Sequence, residues 1–320
     1  MREQLPKTAE LAELPEQLQR PINKRPHGSS NVVARMRIPV PKERDMTEPT
    51  GAVAESGTLE SRCDLLRSLH VPGRPLLLPN AWDAATARAV VVAGFPVVAT
   101  TSGAVSAALG YEDHERAPAE AMLMAAGRIV HSVDVPVSVD TEAGYGLSPF
   151  DFVAELMRIG AAGCNLEDTD HSSGSLRDPY WQADWLHSVR EAASVEGYGL
   201  VINARVDVFL HALDRQPQAD LFDDAMRRVH AYLEAGVDCV YPITLWERDV
   251  LASFVAEAGS PVNIMASPRA PTLAELAELG VARISLAGAL FRGAMDWVNG
   301  RLASLAEEAR QAGLPLRPAI

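Results

Sequence analysis

From about residue 58 onward, short runs rich in Val, Ile and Leu alternate eight times with stretches whose apolar residues recur at helical spacing. The runs are Leu76–Leu78, Pro96–Thr100, Val135–Val139, Gly163–Leu166, Leu200–Ala204, Cys239–Tyr241, Val262–Met265 and Ala282–Leu286. The helical stretches that follow them are Asp83–Ala93, Ala117–His131, Pro149–Ile159, Trp181–Ser194, Ala219–Ala235, Leu245–Ala258, Thr272–Leu279 and Gly288–Ala312. AGFPVVA, IGAAGCN, EAGVDCV and ELGVARI each place a glycine at a helix end just before an apolar run, the mark of a C-cap leading into a buried parallel strand. Eight such units predict an α/β fold, a (β/α)8 TIM barrel over residues 58–320. A doubly wound open sheet is the competing architecture. It calls for a glycine-rich turn after the first strand, where LPNAWDAAT stands instead.

Residues 1–57 do not share this pattern. They are rich in proline and polar residues, contain 9 basic against 8 acidic residues, and are expected to be a largely disordered extension. Met46 opens a more ordinary stretch and is an expected alternative start. The remainder carries 20 basic and 34 acidic residues, within a net charge of −13 for the whole chain of 320 residues. That balance disfavours nucleic acid and anionic membrane as partners. No apolar run reaches membrane-spanning length, and the three cysteines, Cys63, Cys164 and Cys239, are too scattered for a disulfide framework or a zinc cluster. A cytoplasmic enzyme acting on a small molecule is expected.

A barrel places its chemistry where the strands end at their C-terminal edge. Polar groups gather there: Thr101, Ser102 and Gly103, then Asp113, after strand two; Asp140 and Glu142 in SVDTEAGYG after strand three; Glu167 and Asp168 after strand four; Asn203 and Arg205 around the end of strand five. Asp140 and Glu142, two residues apart, would share one face of an extended strand, and such a pair of carboxylates is relieved by a cation between them. Solvated acids at a fraying strand end are the bland alternative. For Arg205 that alternative is a salt bridge to Asp207.

The combination of TSGAVSAALGYED (101–113), PVSVDTEAGYG (136–146), GCNLED (163–168) and INARVD (202–207) resembles the isocitrate lyase and phosphoenolpyruvate mutase superfamily, over essentially all of residues 64–296. The resemblance implies a barrel dependent on Mg2+, with Mn2+ as a substitute, that acts on 2-oxo or 2-hydroxy acids through an enolate. It also implies homo-oligomers, dimers or tetramers that exchange a C-terminal helix. Carried across, Asp140 becomes the direct metal ligand, and Asp113, Glu142 and Glu167 hold its waters. Ser102 and Gly103 offer backbone N–H groups to the substrate, with Thr101, Asp113, Gly144 and Asn203 beside it, and Arg205 grips its carboxylate. The family usually shows aspartate where Glu142 stands.

The loop after strand four departs from the family. Its lyases carry Lys-x-Cys-Gly-His there, with the cysteine as general acid, and its mutases a lysine and an asparagine. Here the loop reads EDTDHSSGSLRD, without cysteine or lysine. Its serines and glycine suggest a flexible lid, with His171 and Asp170 as candidate proton carriers. Tyr145, in the glycine-flanked turn, is a further catalytic candidate. The reaction expected first is carbon–carbon cleavage; a carbon–phosphorus mutase or hydrolase is the second reading, and a non-catalytic oxoacid-binding barrel the third.

Overall fold

In the computed structural model, which describes residues 57–317, eight parallel strands run in sequence around a closed barrel. They are β1 (Leu76–Leu78, resuming as Asn80–Ala81), β2 (Val98–Thr100), β3 (Val137–Asp140), β4 (Gly163–Glu167), β5 (Val201–Val206), β6 (Cys239–Pro242), β7 (Asn263–Met265) and β8 (Arg283–Ser285). Pro79 lacks an N–H and splits β1, so its first half pairs with β8 and its second half with β2. Neighbouring strands pair in order from β2 to β6, a parallel bridge between Val240 and Val262 joins β6 to β7, and β7 pairs with β8. The expected extension at 1–57 lies outside the described residues, apart from residue 57.

Every residue of β2 to β5 except Arg205 is buried, as befits strands covered on both sides. An additional helix, Leu59–Ser68, buries Cys63 and Leu66 at the start of β4 and β5, where a Cβ on Gly163 would lie 2.8 Å from Leu66. The outer helices follow the expected stretches within a few residues. Asp83 and Thr272 each close a capping box, satisfying the first N–H groups of Ala84–Val92 and Leu273–Glu278. Besides the helix Leu59–Ser68, three further elements were not expected. Ser102–Leu109 is a helix that begins directly after β2; Val208–His211 is a short helical turn; and Thr169–Asp170 pairs with Ser175–Leu176 as a hairpin.

The last helix, Ala289–Gln311, has no buried residue and exposes Met295, Trp297, Leu302 and Leu305. No helix among the described residues is long and apolar enough to cross a membrane.

Candidate active site

A cavity of about 430 Å3 opens at the C-terminal mouth, lined among others by Thr101, Ser102, Gly103, Asp113, Asp140 and Arg205. Asp140 ends β3 and is 9% exposed. Its Oδ2 accepts the Ser102 N–H at 2.8 Å, while its Oδ1 has no partner. A buried carboxylate oxygen without a donor is costly, and it is the kind of atom a cation completes. Burial raises the Asp140 pKa against the lowering effect of Arg205.

The Ser102 bond changes one expected role. Its N–H is committed to Asp140, so it is not free for a substrate. The open donors are the next two, Gly103 and Ala104, at the first turn of Ser102–Leu109, a helix whose N-cap Thr101 makes no side-chain capping bond. A Cβ at Gly103 would stand 2.8 Å from Asp113 Oδ2, so a larger residue there would push that carboxylate away from the helix start.

The other two acids, Glu142 and Glu167, lie behind the lining of the cavity rather than in it. Glu142 does not share an extended face with Asp140, because β3 stops at Asp140 and Glu142 takes φ 48°, a left-handed turn conformation. The turn swings its carboxylate inward, where it accepts the Glu115 N–H at 2% exposure. Burial, with the charges of Asp140, Asp113 and Glu167, pushes Glu142 up to about 8. Glu167 lies opposite Arg205 in the β4–β5 register, and its Oε2 meets Arg205 Nη1 at 2.5 Å while its Oε1 meets His171 Nε2 at 2.5 Å. Burial pushes Glu167 up to about 7 despite Arg205. Among the described residues no three such side chains stand close enough to ligate one ion directly. That suits Mg2+, which takes one or two carboxylates and keeps waters.

Arg205 forms the salt bridge that was its alternative. Nε and Nη2 hold Asp207 at 2.6 and 3.0 Å, and Nη1 holds Glu167. Three of its five donors are used, so it can offer only the remaining two to a substrate.

Several expected site residues lie elsewhere. The Tyr145 side chain is packed beside the core and does not line the cavity, yet burial and then the charges of Glu142 and Asp140 raise its pKa, which keeps its hydroxyl among the mouth's acids; its backbone N–H donates to Glu115 Oε1 at 2.6 Å. Gly144 serves packing, since at φ 93° a Cβ would come 2.7 Å from the Trp185 ring. Asn203 is fully buried one pleat below the mouth, donating to Asn165 Oδ1 at 2.8 Å. The expected lid is a tied hairpin: Asp170 accepts from the Ser172 N–H and from both Ser172 and Ser173 hydroxyls, which lower its pKa to about 2. His171 lines a neighbouring cavity instead.

Sequence reasoning missed Asn165, Tyr241, Ser285, Phe291 and Arg292, all in the lining. Asn165 and Ser285 could have been found: one lies two residues before Glu167 on the same strand face, the other at the last strand's end. Asn80 is both structural, joining Thr100 O and Leu286 N–H, and part of the lining.

The raised carboxyls yield a pH prediction. A folded-state pKa near 8 against 4.5 for the ordinary group means that Glu142 stabilises the fold below about 4.5 and that this contribution is lost as pH rises through about 8. Without metal, Glu142→Gln should therefore melt higher than wild type at pH 8 and level with it near pH 4.5. Added Mg2+ should narrow the gap at pH 8. Thermal melts that showed the variant less stable at both values would contradict the assignment.

Fold and mouth chemistry together define a TIM-barrel enzyme. The phosphoenolpyruvate phosphomutase family model matches residues 66–306, and the chain belongs to that family and so to the isocitrate lyase/PEP mutase superfamily. A solved structure from Burkholderia cenocepacia J2315, provisionally described as a phosphonomutase, is 41% identical, covers 77% of this chain and 99% of its own, and superposes with a TM-score of 0.71. An uncharacterized protein of Mycobacterium tuberculosis is 34% identical over 68% of this chain and 79% of its own length. A Corynebacterium glutamicum protein described as a probable 2-methylisocitrate lyase is 28% identical over 74% and 79% respectively.

Proposed function

We propose that this chain is a Mg2+-dependent lyase that cleaves a carbon–carbon bond in a small 2-hydroxy or 2-oxo acid through a pyruvate-like enolate. The observation that carries this reading is the unpartnered Asp140 Oδ1 facing a cavity that also receives the Gly103 and Ala104 N–H groups. Asp140 would hold the cation directly, with Asp113, Glu142 and Glu167 holding its waters. Bound there, Mg2+ supplies Lewis-acid stabilisation of the negative charge that develops on the substrate's carbonyl oxygen. Mn2+ would fit the same oxygen donors.

The chain's own groups do the rest. The helix-start N–H groups of Gly103 and Ala104 donate to the developing oxyanion. Arg205, fixed by Asp207 and Glu167, presents its two remaining N–H groups to the substrate carboxylate. With no cysteine or lysine in the loop, Tyr241 is the neutral acid of the lining: burial pushes it up to about 12, so its hydroxyl keeps its proton and can return one to the enolate carbon. The Corynebacterium relative favours this lyase reading.

The Burkholderia relative favours a second one, carbon–phosphorus chemistry in the same cavity. Incubation with Mg2+ and a panel of 2-hydroxy and 2-oxo diacids and phosphonopyruvate separates the two. Pyruvate or glyoxylate released from a diacid, in a coupled assay, supports the lyase; a change in the phosphorus NMR spectrum with phosphonopyruvate and no product from any diacid rejects it in favour of the second.

The exposed apolar residues of Ala289–Gln311 support exchange of this helix between subunits of a dimer or tetramer. Light scattering should give at least twice the chain mass, and Trp297→Glu should lower it; a monomeric wild type rejects the exchange. Three free, buried thiols suit a reducing cytoplasm, and partition of the native protein into the soluble cell fraction tests that placement.

A further inference from the structure

Arg283 opens β8, two residues before Ser285 of the cavity lining, and is 1% exposed inside the barrel. Its Nη2 donates to Ser138 Oγ at 3.1 Å and to Asn165 Oδ1 at 3.0 Å, and its Nη1 faces His70 Nε2 at 3.5 Å. All three partners are neutral. His70 Nδ1 lies 2.7 Å from Leu66 O, which fixes its proton there and leaves Nε2 as an acceptor. Burial, and then the charge of Arg283, pushes the His70 pKa down to about 4. Burial lowers the pKa of Arg283 as well, yet a guanidinium keeps its charge. This buried cation therefore has a use other than an ion pair.

That use lies in the Asn165 side chain. Its Oδ1 receives both Arg283 Nη2 and Asn203 Nδ2, the latter at 2.8 Å. A guanidinium can only donate, so the oxygen of the Asn165 amide must face it and the nitrogen must turn away. Among the described residues that nitrogen, Nδ2, has no partner, although Asn165 is 7% exposed and lines the 430 Å3 cavity. In register Asn165 stands opposite Asp140 on β3 and Asn203 on β5, two residues below Glu167 and Arg205. An open N–H donor thus reaches the cavity at the level of Asp140, deeper than the Arg205 guanidinium.

We propose that Asn165 Nδ2 is a substrate-binding donor at the cavity floor, meeting the oxygen of the oxoacid that enters deepest, and that Arg283 is the positioning residue that holds the amide in this orientation. The proposal rests on the reading of the cavity as an oxoacid site. A donor locked from behind loses little freedom when the ligand arrives. It also sets specificity, because it demands an acceptor oxygen at the deep end: a methyl there leaves the N–H unpaired, and an ammonium meets it donor to donor.

Calorimetric titration of the full chain with oxalate in the presence of Mg2+, run beside thermal melts, tests both roles. Asn165→Asp keeps the oxygen that accepts from Arg283 and Asn203 and replaces only the donor. Its melting temperature should stay within a few degrees of wild type while oxalate binds about tenfold or more weakly. Arg283→Lys keeps the buried charge without the fork and adds no negative charge; it should weaken oxalate by about threefold or more through the loosened amide. NMR reads the orientation itself: the Asn165 side-chain amide signal, recognised by its absence from Asn165→Asp, should shift with oxalate and in Arg283→Lys. Oxalate binding to Asn165→Asp within about twofold of wild type, or an amide signal unmoved by saturating oxalate, overturns the contact. A melt lowered by about ten degrees or more in Asn165→Asp overturns the orientation, since the oxygen would then not face Arg283. Failure of oxalate to bind wild type strikes instead at the oxoacid reading. The Arg283→Lys comparison of the amide signal is still read on the free protein, and an unchanged signal there overturns the positioning.

Discussion

Asp140→Asn should lower kcat/KM by about three orders of magnitude or more while leaving the melting temperature within a few degrees of wild type. The substitution keeps the side-chain oxygen that accepts the Ser102 N–H, so the β2–β3 mouth stays tied. What it removes is the charge at Oδ1, the atom without a partner. Losing the cation's anchor forfeits several kcal/mol of stabilisation in the transition state, and each 1.4 kcal/mol is about a factor of ten in rate. Alanine is the poorer probe. It would leave the Ser102 N–H unpaired, at a cost of about 1–3 kcal/mol, and mix a folding defect with the chemical one. Steady-state kinetics alongside a thermal melt checks the claim; an Asp140→Asn enzyme with activity near wild type would reject the role of Asp140.

The largest stability effect is expected at Arg228, far from the cavity in sequence. Asp168, fully buried, accepts from Arg228 Nη1 at 3.0 Å, from the Tyr232 hydroxyl at 2.7 Å and from the Asp207 N–H at 2.8 Å. The same Arg228 nitrogen also donates to Arg177 O at 2.9 Å, so one guanidinium ties an outer helix to both ends of the loop after β4. Arg228→Leu leaves a buried carboxylate without its cation, a loss of about 3–5 kcal/mol by urea denaturation. Adding Asp168→Asn to that variant should recover part of the loss, because the stranded charge is gone. A single-variant loss below about 1 kcal/mol would show that Asp168 is protonated in the native state and needs no partner. Activity should also drop, since the Asp207 backbone rests on Asp168 and the Asp207 side chain positions Arg205.

Sequence carried the barrel well because its signal is local: mainly apolar runs of three to five residues, four of them preceded by a helix-ending glycine. The helix Ser102–Leu109 was invisible for the converse reason. Its sequence, SGAVSAAL, is made of small residues with no apolar stripe, and it forms because Thr101 leaves β2 in an extended conformation and the chain must turn.

The acids of the mouth were legible, though the geometry behind them differs. Asp140 and Glu142 were paired by strand alternation, whereas a left-handed turn at Glu142 brings its carboxylate in. A positive φ on a glutamate is set by tertiary contacts, here the Glu115 N–H, and leaves no mark in the composition of TEAGYG. Tyr145 lies outside the cavity's lining, although the charges of Glu142 and Asp140 reach its hydroxyl. The Asp168–Arg228–Tyr232 cluster joins residues 60 and 64 positions apart, and the helical spacing of Arg228 and Tyr232 shows only that they share a face.

The most direct measurement of the central claim is a crystal structure of the full chain soaked with Mn2+ and oxalate, with anomalous data collected at the manganese edge. Expected is one strong peak in the 430 Å3 cavity, about 2.0–2.3 Å from Asp140 Oδ1, with oxalate between it and the Gly103 and Ala104 N–H groups. A peak that avoids Asp140, or oxalate density with no metal beside it, would contradict the claim that this mouth is built around a cation.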